Sequence, residues 1–185
     1  MLRFAFLALC VACLTGCGPA GYRFAMQKPV ASDTMAYEDD SVKVVYRVEK
    51  DSMNCNIESG VLQYEDYTGI DFIMENKTDK VLTIDWNKLS FKDPAGNSGP
   101  VFHNGIRFID RSGPKVPTTI PPQGRINDIV IPCDAAQLGD NGNWKVSLFP
   151  SPRKIPQFTY GIYFPVEIGE TAKTYEFEFT AKADQ

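Results

Sequence analysis

His103, in the stretch VFHNGIRF, is the only histidine of this 185-residue chain, so any imidazole chemistry falls on it. A thiolate beside an imidazolium is an activated nucleophile, which makes Cys55 with His103 the one dyad worth weighing. A serine nucleophile would need the G-x-S-x-G elbow, and Ser98 sits instead in GNSGP. The commoner role for such a histidine is to flank a turn, here Asn104-Gly105. A zinc site would have to be assembled from scattered ligands, because there is no C-x-x-C pair. KDPAGNS and GDNGN offer oxygen ligands but lack the spacing of a calcium loop, and tight turns account for both. The expectation is therefore no catalytic residue, no metal and no cofactor.

Two proline-containing stretches are candidate contact surfaces. GPKVPTTIPPQG carries a P-x-x-P spacing, which fits a polyproline ligand or an edge segment whose prolines prevent extra pairing. FPSPRKIPQF places Arg153 and Lys154 in a loop where both must be exposed, a candidate interaction loop for lipid headgroups or an envelope protein.

The elements that would position these residues are strands. In GIDFIMEN, Ile70, Phe72 and Met74 share one face against Asp71 and Glu75. In KTYEFEFTA, Tyr175, Phe177 and Phe179 oppose Glu176, Glu178 and Thr180, the pattern of a strand covered on one side. VKVVYRVE, KLSFKD, GIRFID, RINDIVIP, NWKVSLF and QFTYGIYF complete the set. The NKTD turn followed by KVLTIDW predicts a hairpin, and DAAQLG a helical turn with Asp134 as its cap. These turn-punctuated short strands predict an all-β fold, an antiparallel sandwich of about seven to nine strands over residues 41–185.

The N-terminus has a different character. Arg3 precedes the apolar run FAFLALCVACL, too short for the roughly 20 residues that span a bilayer, so residues 1–16 read as an export signal. The run ends in Leu14-Thr15-Gly16-Cys17, which resembles the lipobox of bacterial lipoproteins. That resemblance implies cleavage before Cys17 and a diacylglyceryl anchor on its sulfur, and two or more acyl chains hold a protein on a bilayer. Gly18 stands where inner-membrane retention would place aspartate, so the resemblance implies the periplasmic face of an outer membrane. Residues 17–40 lack a sustained period and are expected to be the lipidated cysteine and a flexible tether.

Without Arg3 the mature chain has 18 basic and 23 acidic side chains, a balance that argues against nucleic acid as a partner. Cys55 and Cys133 then form an even pair in an exported protein, a candidate disulfide with buried thiols as the alternative.

ENKTDKVLTIDW and TIPPQGRINDIVIP are similar to turn motifs of exported bacterial domains of immunoglobulin-like fold, a strand, an N-x-T-D turn, and later a Pro-Pro-x-Gly corner. Cys55, Trp86 and Cys133 occur in the antibody order, but Cys55 lies in the polar context MNCNIE. The resemblance implies a fold and no activity. The expected function is a lipid-anchored, non-enzymatic envelope module whose partner is an envelope protein. The alternative is a periplasmic solute-binding protein or enzyme with a pocket near His103 and Cys55.

Overall fold

In the computed structural model, residues 21–52, 65–138 and 144–184 are described. Alternation of apolar and polar side chains gives β1 (Tyr22–Lys28), β2 (Ala36–Glu38), β3 (Val42–Ser52), β4 (Glu65–Asn76), β5 (Leu82–Ile84), β6 (Ser90–Lys92) and β7 (Ser98–Phe102). Further along the chain come β8 (Thr118–Ile120), β9 (Arg125–Pro132), β10 (Ala136–Leu138), β11 (Trp144–Val146), β12 (Gln157–Ile168) and β13 (Thr171–Ala183). Eleven strands join one antiparallel sheet in the order β1-β13-β12-β6-β7-β9-β4-β3-β2, with β5 beside β12 and β8 beside β5. β10 and β11 form a separate ribbon. The protein is all-β, and the large sheet curls into a nearly closed, barrel-like wrap.

The core lies inside this wrap. Tyr46 of β3 and Phe72 of β4 point across it toward β12 and β13, with Tyr46 5.0 Å from Phe177 and 5.2 Å from Phe179, and Phe72 5.4 Å from Phe164. Ile70, Met74, Ile162 and Phe179 are buried in the same cluster. Each large apolar side chain removed from water contributes roughly 1.5–3 kcal/mol, so this cluster is the main favourable element of the fold.

Where the chain changes from one half of the sheet to the other, side-chain amides take over from the ladder. β4 has both edges occupied, by β3 and by β9, so it cannot pair with β5, and the expected β4–β5 hairpin is instead a crossing. Asn76, wholly buried, sits at that crossing. Its Nδ2 donates to the carbonyls of Lys80 (2.7 Å), Ile120 (3.1 Å) and Pro121 (3.1 Å), while its Oδ1 accepts from Thr78 N (3.0 Å) and Thr78 Oγ1 (2.7 Å). Gln123, at φ 58°, reaches back to the carbonyls of Lys77 (2.8 Å) and Thr78 (3.1 Å). The NKTD turn and the PPQG corner thus lock together.

The seam between the two ends of the sheet is closed by Asp39. Its carboxylate accepts hydrogen bonds from Lys173 Nζ (2.7 Å) and Tyr175 Oη (3.1 Å) on β13, and from the backbone of Ser41 (2.7 Å) and Val42 (2.8 Å). Burial alone would raise this carboxyl, but the bonds from Lys173, Val42 and Ser41 outweigh it and bring the pKa down to about 2.

Tyr22–Lys28 and Ala36–Glu38, expected to lie in a flexible tether running through residue 40, are strands of the fold, and Tyr22–Lys28 pairs antiparallel with β13 and buries Tyr22 and Met26. The strand expected at residues 105–110 is a loop, since Gly105 at φ 83° reverses the chain and a 3₁₀ turn follows at Phe108–Asp110. The turn expected over residues 134–139 is a single 3₁₀ turn at Cys133–Ala135 with Pro132 at its N-cap, no side-chain cap, and β10 directly after it.

Asn76→Ala leaves three carbonyls without their buried donor and should destabilise the protein by about 3 kcal/mol. Asn76→Asp keeps the Thr78 contacts but sets carboxylate oxygens against those carbonyls, so it should cost at least as much. Urea unfolding checks both. Because the folded Asp39 pKa lies below its unfolded value, its stabilisation is full above the unfolded pKa and is lost as pH falls through the folded one. Screening at this partly exposed pair limits the loss to about 1–2 kcal/mol between about pH 4 and pH 2. In Asp39→Asn that contribution to the pH dependence should vanish, and stability near neutral pH should drop.

Candidate functional site

β5, β7, β8 and β9 converge at one corner of the wrap, and His103 fills it. β7 pairs with β6 through Ser98–Pro100 and then with β9 through Val101 and Phe102, so its C-terminal end joins the two halves. His103 follows at once, stacked on Trp86 with ring centroids 3.9 Å apart and planes within 2°. Trp86 itself is buried, and its Nε1 donates to Thr118 Oγ1 at 2.8 Å.

Asp128 orients the imidazole. It occupies a core-facing position of β9, in phase with Ile126 and buried Val130, where a carboxylate must find donors. Oδ2 lies 3.1 Å from His103 Nδ1, and Oδ1 accepts from the backbone of Asn104 (3.0 Å) and Ile129 (2.8 Å). Both side chains are close to nine-tenths buried. A carboxylate holding Nδ1 is how a base is oriented in a triad. A triad also needs a nucleophile at the other nitrogen, and among the described residues buried Nε2 has no hydrogen-bond partner. The geometry is that of a packed corner: the indole covers one face of the ring, and the carboxylate fixes its edge.

The cysteines do not complete it. Cys133 is a buried free thiol whose Sγ donates to Arg111 O at 3.1 Å, while Arg111 Nε donates to Cys133 O at 3.0 Å. Burial pushes this thiol up, away from the thiolate form that attacks electrophiles. Cys133 packs with Phe102, Ala136 and Val146 in a second, smaller cluster, whereas His103 stacks on Trp86 of the main core, so the two are not brought together. Cys55, the other half of the candidate disulfide and of the weighed dyad, lies outside the described residues, as does Cys17. Arg153 and Lys154 are exposed, as their loop context requires.

Among the described residues, one surface groove of about 260 Å³ lies around Gly161 on the outer face of β12 and another of about 250 Å³ lies beside Pro94 and Pro132. Both fall below the roughly 300–1,000 Å³ of ordinary ligand pockets, and neither is lined by His103. Among the described residues, no three His, Cys, Asp or Glu side chains converge as a metal site.

No protein-family model matches this chain, and no curated protein does. Among solved structures, a chain described as "X-ray structure of Northeast Structural Genomics Consortium target SoR45" is similar over 77% of this chain and 88% of its own, at 15% identity and a TM-score of 0.38. At that TM-score the likeness carries no argument about fold or function.

His103→Ala removes the ring stacked on Trp86 and one partner of a buried carboxylate, and should cost about 1–3 kcal/mol. Denaturant titration followed by Trp fluorescence measures it. Full retention of stability would contradict a packing role and turn attention back to chemistry at Nε2.

Proposed function

We propose that this protein is a lipid-anchored, non-enzymatic module of the bacterial cell envelope. In this reading residues 1–16 are removed, Cys17 carries the acyl chains, and the folded domain stands on the periplasmic face of the outer membrane. The observation that carries it is the order of parts along the chain, a short apolar run, Leu14-Thr15-Gly16-Cys17, and then a domain that starts at Tyr22. Confinement by the lipid raises the effective concentration of the domain for a partner on the same membrane. We read the two facing halves of the sheet as an immunoglobulin-like β-sandwich closed at one corner by β7, a reading supported by the aromatic layer between them.

A solute-binding protein or enzyme is the second reading, and the buried Nε2 of His103 is the observation that favours it. A pocket-based activity needs a group for that nitrogen to act on. The lipid-anchor reading needs nothing from it.

Mature protein taken from its own membrane should yield an N-terminal peptide that begins at Cys17 and bears diacylglycerol by mass spectrometry. Cys17→Ser should shift the chain out of the membrane fraction. An unmodified N-terminus elsewhere would end this reading and leave an exported binding protein as the leading idea.

A further inference from the structure

We propose that the loop at residues 150–156 is a membrane-contacting surface that docks on phospholipid headgroups, an inference that rests on the lipid anchor at Cys17. Its starting point is the length of chain outside the fold. Only Gly18, Pro19, Ala20 and Gly21 separate Cys17 from the first residue of β1. Five virtual bonds at full extension reach about 18 Å, so whichever end of the domain holds Tyr22 is kept close to the bilayer.

That end is built from the loop. Tyr22 Oη donates to the carbonyl of Ile155, Ala183 N to that of Pro156 (2.8 Å), and Asp184 N to that of Gly21 (2.9 Å). The point where the chain enters the fold and the loop are therefore one hydrogen-bonded unit. The loop is held in shape as well, with Lys154 N and Ile155 N both donating to Ser151 O, at 2.9 and 3.1 Å. Behind it Phe149 packs on Phe24, Phe158 and Tyr160.

The exposed chemistry suits a headgroup layer. Arg153 and Lys154 project next to Ile155, which is 40% exposed, and neither cation has an ion-pair partner among the described residues. Arg23 and Lys182 are exposed at the same end, Arg23 in a pair with Asp184. Cations beside an apolar side chain place phosphates on the former and the acyl boundary under the latter. The opposite end of the domain, at the β12–β13 turn around Glu170, lies a full strand away, about 36 Å at 3.3 Å per residue.

The test uses the full lipidated chain in vesicles of phosphatidylethanolamine with a minority of phosphatidylglycerol, with the photocrosslinker p-benzoylphenylalanine placed at position 155 or at position 170. Intact mass reads the anchor and the crosslinked adduct separately. Phospholipid adducts should form at position 155 and be absent at position 170. Arg153→Glu combined with Lys154→Glu should lower the yield at 155 about fivefold or more, with the mass of the anchored N-terminus unchanged. Equal yields at the two positions, or none at 155 on a chain whose Cys17 is lipidated, would overturn the proposal and leave the anchor standing. Adducts at 155 to a protein in native membranes, without lipid adducts in protein-free vesicles, would assign the loop to an envelope partner and overturn it as well. A chain without lipid on Cys17 would sink both readings.

Discussion

The side-chain amide of Asn76 is the constraint on which the wrap depends. β4 leads away from one half of the sheet and β9 leads back into it, and both junctions hang on this one buried group through the carbonyls of Lys80, Ile120 and Pro121. Crossing segments leave backbone carbonyls without ladder partners, and such carbonyls are costly inside a protein. An amide offers two donors and an acceptor in a fixed plane, so it can satisfy both junctions where a hydroxyl would satisfy one. The aromatic layer supplies most of the favourable energy, but the amide fixes which halves face each other.

Two further contacts finish what Asn76 begins. At the open seam, Asp39 joins the end of β2 to β13 through Lys173 and Tyr175. At the opposite corner, His103 and Trp86 plug the place where β7 passes from β6 to β9. Each is a polar group near or inside the core with its donors or acceptors supplied by a different strand. This is how a curled sheet resists splaying where ladder bonds are few.

Strands with strict alternation were legible in the sequence, as GIDFIMEN within β4 shows, and RINDIVIP, though its alternation is broken, coincides with β9 residue for residue. β1 was not legible, although Tyr22, Phe24 and Met26 alternate with Arg23, Ala25 and Gln27, because the run is short and Pro29 ends it beside small and polar residues. Pairing was harder still. NKTD looks like a hairpin turn locally, and only the occupation of both β4 edges by distant strands rules the hairpin out. At the candidate site, His103 stood out as the only histidine and Trp86 for its place in the antibody order, but neither their stacking nor the part of Asp128 was legible. Asp128 left one signal, a carboxylate in the core-facing phase of an apolar strand, which is tolerable only with donors waiting for it.

In the proposed lipid-anchored reading, the start of the fold at Tyr22 sets how the module would sit on a membrane. A tether of more than twenty residues would let the domain roam, whereas with a lipid on Cys17, as proposed, a link of four residues to Tyr22 would hold one end of it near the bilayer. That end carries Arg153, Lys154 and Ile155, and the same reading would leave the far turns and the outer sheet faces for the proposed partner. Neutron reflectometry of the full lipidated protein on a supported bilayer measures this directly. The account predicts protein density that begins at the headgroups without an intervening water layer, and a hydrated gap wider than the four-residue link can span would contradict it.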